Sequence, residues 1–436
     1  MKISTTIHTF FAMSLALIFA KTATAQHWNS FQNGGSLQSE NWMVPTEWSP
    51  EKGIAWHTKL AGYGQSSPVI ADDVAYLTSV TGPNKETLNI EAISLTDGQR
   101  KWIFNHENSS PEENTVMVSR AAPTPVADAD GVIAFFEGGN LFALDHAGEL
   151  RWKRDLKAEF GEHKARHGLS ASLEQDDEHV YLWCERAESP YVMSIKKNNG
   201  ETAWKKPGLG NTSWSSPRLM TVDGKPQLIL SSIGLIVGVD PSTGDRLWEF
   251  DKVASNSSST PVPVGDGKFL MGASGSRGGK ETIPSCGVIS ITSHNGVYAA
   301  KWDWVAEKAS CSFGSPFAFD GKAWFVNRTG IVNCHDLQTG DKVFTARLGA
   351  GQIWATPLAT KSGIYFFGKN GVTSIVEPNE KLKVVAENTL WKPDAPKEND
   401  KKEAESGPGS GAVLYAAAIA GDTLVMRRGD ILYGVR

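Results

Sequence analysis

The feature that most constrains this chain is a two-part punctuation recurring along nearly its whole length. One mark is a polar turn containing glycine and then an aromatic: LTDGQRKW ends at Trp102, DHAGELRW at Trp152, KNNGETAW at Trp204 and DPSTGDRLW at Trp248, while DLQTGDKVF places Phe344 there. In each, the aromatic stands four residues after the turn glycine (Gly98, Gly148, Gly200, Gly244, Gly340); SHNGVYAAKW is a looser copy, with Trp302 six residues after Gly296. The other mark is a Ser/Thr-Pro step, seen in GQSSPVI, NTSWSSPRL, SSSTPVPV, FGSPFAF and QIWATPLA. A glycine-bearing polar turn between two apolar runs is hairpin chemistry, because glycine tolerates the positive φ that such turns need.

Between the two marks lie three β-rich runs, in the first unit PVIA, VAYLTSV and NIEAISL, and the aromatic then opens a fourth, RKWIFN. The opening marks fall near Ser67, Thr124, Ala171, Ser216, Thr260, Ser315, Thr356 and Ala412, a period of 41 to 57 residues; in the third, Ser172 stands where the proline belongs. Four short antiparallel strands repeating at that spacing predict an all-β, eight-bladed β-propeller, with seven blades as the alternative count. The last unit stops after three strands. An orphan strand upstream, GIAWHTKL (53–60), carries Trp56 where a fourth-strand aromatic belongs. Joining the two ends completes one blade and removes the exposed sheet edges. The reading is one propeller domain over residues 26–436, with 392–410 as a flexible inter-blade loop.

The N-terminus reads as an export signal over residues 1–25: Lys2, the apolar run FFAMSLALIFA, and the small-x-small site ATA before Gln26. The apolar run is too short to span a bilayer in the mature chain, and no second candidate span follows. No cysteine stands at the cleavage point to take a lipid. The expectation is a periplasmic or secreted monomer. The net charge of −5 and the lack of a Lys/Arg-rich block exclude nucleic acid as a partner. Four cysteines (Cys184, Cys286, Cys311, Cys334) are sparse, with no C-x-x-C spacing. Three pairings are open; Cys184 and Cys334 read as packed strand residues, and a bridge between Cys286 and Cys311, both in irregular segments, is one outcome.

In a propeller, turns between strands 1 and 2 and strands 3 and 4 share one face, and strand 2–3 turns and inter-blade links share the other. The first set here is tight. The second holds the long insertions, including HENSSPEENTVMVSRAA (106–122), LKAEFGEHKARHG (156–168) and ASGSRGGKETIPSC (273–286). Function sits on loops held by a rigid scaffold, so this is the candidate interaction face. Residues leading into each innermost strand from that face should ring the channel mouth: Gln65, Arg120, Arg166, His167, Trp214, Asn256, Phe313, Gln352 and Trp354. Guanidinium groups and indoles there suit an anionic or planar ligand.

IEAISLTDGQRKW, GVDPSTGDRLW and CHDLQTGDKVF resemble the D-x-x-T-G-x-x-x-W docking pattern of quinoprotein-type propellers, and residues 45–69 resemble the N-terminal segment of bacterial exported PQQ-like repeat proteins. The likeness covers about residues 40–436. It implies the propeller fold and leaves function open. The family includes calcium- and quinone-dependent alcohol dehydrogenases, the propeller lipoprotein of the outer-membrane β-barrel assembly machinery, and cofactor-free scaffolds. The chain is shorter than the dehydrogenases, lacks their adjacent-cysteine disulfide, and matches no Glu/Asn/Asp calcium set. The preferred expectation is therefore a non-enzymatic scaffold without cofactor, binding an envelope protein, glycan or small anionic ligand. The alternatives are a PQQ/calcium dehydrogenase and an outer-membrane protein assembly factor. Other motifs have plainer readings. His163 and His167 lie in a loop, where i, i+4 spacing does not converge two ligands. ADADG, QDDE and RGD occupy tight turns, and KENDKKEAE reads as a solvated flap.

Overall fold

The computed structural model describes residues 28–39, 41–116, 118–210, 213–274, 285–379, 381–392 and 412–436. The expected signal peptide, and the expected flexible loop apart from Lys392, lie outside the described residues. Eight sheets form the ring, seven of four antiparallel strands and one in which a short parallel strand joins the four. The chain is an eight-bladed propeller, as the repeat predicts.

Blade 1 shows why the repeat folds this way. Its strands are Val69–Ala71, Val74–Thr81, Thr87–Ser94 and Arg100–Glu107. The first three are almost wholly buried, whereas the fourth alternates half-buried and exposed positions. Inner strands packed on both faces read as continuous apolar runs, and the rim strand reads as period 2. Neighbouring blades share a core, as where Tyr76, Ile90 and Ala92 pack with Val132, Ala134 and Phe142.

The glycine–aromatic mark docks each blade on the next. The Trp56 indole donates to the Leu95 carbonyl (2.8 Å), Trp102 to His146 (2.9 Å), Trp152 to Lys197 (2.8 Å) and Trp204 to Pro241 (2.8 Å). The turn glycine lies beneath the ring. Gly98 has φ of +74°, and a Cβ there would lie 2.7 Å from Trp56 Cδ2, so no other residue fits. Two positions depart from the sequence reading. Trp248 bonds Gln227 Oε1 of its own blade (2.7 Å). Trp304, rather than Trp302, docks on blade 6 through the Leu337 carbonyl (3.0 Å), while Trp302 turns back to Lys252 (2.8 Å). As with Trp102 and Trp204, it is the aromatic directly after the rim-strand register shift that docks, and in blade 5 that residue is Trp304, eight rather than four residues after the turn glycine.

The Ser/Thr-Pro mark builds a girdle around the channel. The backbone N–H of each opening Ser/Thr donates to the hydroxyl of the next, from Ser67 through Thr124, Ser172, Ser216, Thr260 and Ser315 to Thr356, at 2.9 to 3.1 Å. In blade 3 the marker is thus Ser172, with Leu173 replacing proline, rather than Ala171. In the closing blade, aligning its strand 1–2 turn at Ala420 with that of blade 1 puts Ala416, not Ala412, at the marker position, so no hydroxyl completes the circle. That blade is Leu414–Ala420, Thr423–Arg428 and Ile431–Val435, completed by Ile54–Lys59 with Trp56 opposite Gly434.

Residues 28–39 were unassigned by the repeat, and they fill the channel. Trp28 pairs antiparallel with Ile70, and the Asn29 carbonyl accepts from Ala127 N (2.9 Å). The chain reverses over Phe31–Gly35, with positive φ at Gln32 and Asn33, and Gln38–Ser39 then runs parallel to Leu358–Thr360. At the tip, Gln32 Nε2 donates to Ser315 Oγ (3.0 Å) and Thr356 Oγ1 (2.8 Å). Arg218 donates to Gln32 Oε1 (3.2 Å) and to Glu174 (3.1 Å), a buried pair. The hairpin therefore hangs from the girdle it plugs.

Candidate functional site: the channel mouth

Each mouth residue is placed by the segment leading into an innermost strand. Gln65 and Arg120 link blades 1 and 2 through backbone: Gln65 N donates to the Arg120 carbonyl (3.0 Å), and Arg120 N to Gln65 Oε1 (3.0 Å). The Arg120 guanidinium lies 3.7 Å over the Tyr63 ring, while its Nε and Nη2 carry no hydrogen-bond partner. The Tyr63 hydroxyl meets the Tyr415 hydroxyl at 2.8 Å; burial raises the Tyr63 phenol far above its usual pKa, so it stays neutral. Tyr415 packs edge-on to Trp354 (6.4 Å), and Trp354 packs on Phe313 (4.6 Å). The Lys369 ammonium sits 5.2 Å over the Trp354 ring, and partial burial lowers its pKa. These residues make one continuous aromatic and cationic rim across blades 6, 7, 8, 1 and 2.

Other sequence-predicted residues stand apart. Trp214 is half-buried with the His167 ring 6.1 Å away; Arg166, His167 and Gln352 are exposed, and the Gln352 carbonyl accepts from Lys369 N (2.6 Å). Asn256 is a correction. It is fully buried, donating to Ser231 Oγ (2.9 Å) and accepting from Gly234 N (2.8 Å), so it locks the strand 2–3 turn of blade 4 and does not face the mouth. His163 and His167 do not converge. His163 Nε2 pairs with the Tyr191 hydroxyl (2.7 Å), and burial lowers its pKa to about 4. Sequence reasoning missed Tyr63 and Tyr415, which stand eight and five residues before the end of strand 1 where Phe313 and Trp354 stand six, and it missed the hairpin, for which it held no signal.

Beneath the rim lies a cavity of about 110 Å³, walled by Phe313, Trp354 and Tyr415 above, Ala416 and Ala417 at the side, and Trp28 and Gln32 of the hairpin below. The Trp28 and Trp354 indole N–H groups have no hydrogen-bond partner. A pocket lined by these aromatic and small apolar side chains suits an apolar group. A second cleft of about 280 Å³ lies between blades 1 and 2 on the same face. There buried Lys85 ties the insertion down, donating to the Ser119 carbonyl (2.6 Å) and to Glu112 (3.1 Å). Trp28, Phe31 and Gln32 of the hairpin lie inside the ring, bonded to Ile70, Arg218 and Ser315.

The fold and the plugged, aromatic-rimmed mouth define a PQQ-like propeller. The chain belongs to the family described as outer membrane protein assembly factor BamB, whose model matches residues 46–181 and 146–346. Curated relatives carry that name: the protein of Salmonella typhimurium is 26% identical over 211 residues, 48% of each chain. That of Shewanella oneidensis is 21% identical over 269 residues, 51% of this chain and 62% of its own. The chain thus spans about half to just under two thirds of the length of these relatives. Among solved structures, BamB from Moraxella catarrhalis aligns with TM-score 0.57 and 14% identity, covering 87% of this chain and 96% of that one. A quinohemoprotein alcohol dehydrogenase from Comamonas testosteroni gives 0.55 and 11%, covering 94% and 80%. At those identities the likeness is one of fold. No helix among the described residues is long and apolar enough to cross a membrane.

Proposed function

We propose that this protein is an exported, non-catalytic interaction propeller serving outer-membrane protein assembly, and that it holds an envelope protein partner on its loop-bearing face. The carrying observation is the contiguous rim Arg120–Tyr63–Tyr415–Trp354–Phe313 over a pocket whose floor is the chain's own hairpin. Phe313 is 42% exposed and Ile233 46%, apolar groups on the face where the insertions gather. Central aromatics beside a stacked guanidinium are the residue types that dominate protein interfaces. The family name supports assembly over sugar or alcohol oxidation, and the filled channel supports a reading without PQQ. The partner contributes an apolar side chain that enters the pocket under the rim.

A photo-crosslinking residue at Phe313 is expected to trap an outer-membrane assembly component in the producing cell, whereas one at Val297, 70% exposed on a rim strand, is not. Trp354→Ala should weaken that complex by about 2 kcal/mol, roughly 30-fold, as for a central anchor. Crosslinks confined to Val297 would overturn the assignment of the face. Adding PQQ with calcium should leave the melting temperature unchanged; saturation at about 100 times the dissociation constant would contribute roughly 2.7 kcal/mol and would overturn the cofactor-free reading.

A further inference from the structure

Cys286 and Cys311 stand 25 positions apart in sequence, yet their side chains meet. Cys286 Sγ accepts from Ala273 N (3.4 Å), and its S–H lies 3.6 Å from the Ala273 carbonyl. That same carbonyl accepts the backbone N–H of Cys311 (2.8 Å). A Cβ added to Gly272, the residue before Ala273, would lie 2.9 Å from Cys311 Sγ, so this thiol flanks the strand end that holds the other. The Cys311 thiol is the main influence lowering the Cys286 pKa, and both residues are at most 1% exposed. The other two cysteines have different neighbours: Cys184 lies opposite Tyr191, and Cys334 lies between Trp324 and Phe344. Burial pushes both of those thiols up to about 12, as for inert packed cysteines.

We propose that in the exported protein Cys286 and Cys311 are joined by a disulfide made by exchange with a protein or glutathione disulfide. The bond would close blade 5, tying the start of its third strand at Gly287 to the lead-in of blade 6, two residues before Phe313. It thus anchors one wall of the mouth pocket. Before blade 5 closes, one of the two cysteines, its proton lost to water, attacks the external disulfide, releasing one thiolate and forming a mixed disulfide. The other cysteine loses its proton to the released thiolate and attacks the first Sγ, expelling the second thiolate, which takes up a proton from water. Two electrons and two protons pass to the external disulfide, which becomes two thiols. Because both sulfurs are buried once folded, exchange precedes completion of blade 5. The oxidising compartment rests on the expected export signal.

The test is the full chain purified after export without reductant and quenched by alkylation. Intact mass should be 2 Da below the fully reduced value, two thiols rather than four should titrate in guanidinium, and a proteolytic peptide pair should link Cys286 to Cys311. Cys286→Ser should then expose three thiols. Reducing the wild type before a melt should lower Tm by several degrees, and the Cys286→Ser/Cys311→Ser variant should show no such response to reductant. Should the variants fail to fold, wild-type chain refolded from denaturant in oxidised glutathione must still lose 2 Da. Four titrating thiols in both preparations, or a linked peptide involving Cys184 or Cys334, would overturn the proposal.

Discussion

Arg427 stitches the closing blade to the first, and removing it tests what holds the ring shut. The residue is fully buried. Its Nε donates to the Gly429 carbonyl (3.0 Å), Nη1 to the Ser66 carbonyl (2.9 Å) and Nη2 to the Thr78 carbonyl (2.7 Å). Arg427→Met keeps the aliphatic bulk and removes three charge-assisted hydrogen bonds to buried carbonyls, that of Gly429 keeping only a long one from Gly64 N (3.4 Å). At about 1–3 kcal/mol for each abandoned acceptor, the gross loss is about 6 kcal/mol. The guanidinium itself resists burial, which lowers its pKa from 12.5 to about 10. A fall of that size corresponds to roughly 3 kcal/mol of desolvation that the methionine variant escapes. The net expectation is a destabilisation of about 3 kcal/mol. Arg427→Lys should lose at least as much, because one ammonium cannot span three diverging acceptors and is still buried. Equilibrium unfolding in guanidinium, with the slope unchanged, measures it. Gly64→Ala probes the contact from the other side, since a Cβ there would lie 2.2 Å from Arg427 Nη2. A methionine variant within 1 kcal/mol of wild type would refute the idea that this side chain closes the ring.

Ala416→Ser supplies the hydroxyl the girdle lacks, next to Thr356, and should raise stability by about 1 kcal/mol in the same unfolding experiment; a decrease would show that the gap is not a missing acceptor. His163 makes stability pH-dependent. Its folded pKa of about 4 lies below the ordinary 6.5, so the unfolded chain takes up the proton first. The stabilisation is complete above pH 6.5 and is lost as pH falls toward 4, by up to about 3 kcal/mol at 1.36 kcal/mol per unit. His163→Gln should flatten that slope, and an unchanged profile would assign the acid sensitivity elsewhere.

The fold was legible because it is repetitive: one strand pattern and two marks recur until only a ring accommodates them. Errors arose where a unit lost its marks. In blade 3, Leu173 replaces the proline, and counting from that missing residue slid the marker by one. In the closing blade, YAAAIA has lost both serine and proline, and only its strand 1–2 turn fixes the register. Spacing points to Trp302 as the docking residue, but the strand 3–4 hairpin of blade 5 is longer, so the aromatic after the shared register shift is Trp304, eight residues after Gly296 rather than four. The site was less legible. Asn256 fell in the right segment, but its side chain turns inward to its own hairpin, while Arg120 turns to Tyr63 of the neighbouring blade. The hairpin at residues 28–39 was invisible because its partners, Ile70, Ser315 and Thr356, are scattered round the ring and its tip carries no repeat mark.

An eightfold scaffold with perfect repeats would present eight equal mouths and no single pocket. What makes one sector different here is the place where the ends of the chain meet. The closing blade carries Ala416 and Ala417 where the others carry Ser/Thr followed by proline, or by Leu173 in blade 3, and the missing atoms leave room beside Trp354 and Tyr415. The hairpin that precedes the closing strand reaches the same sector and sets the pocket's depth through Gln32 on Ser315 and Thr356. Closure and pocket therefore share residues. It follows that disturbing the hairpin tip, as in Gln32→Ala, should alter binding at the mouth as well as stability, whereas a lesion of equal energetic cost at the Trp204–Pro241 docking contact should alter stability alone.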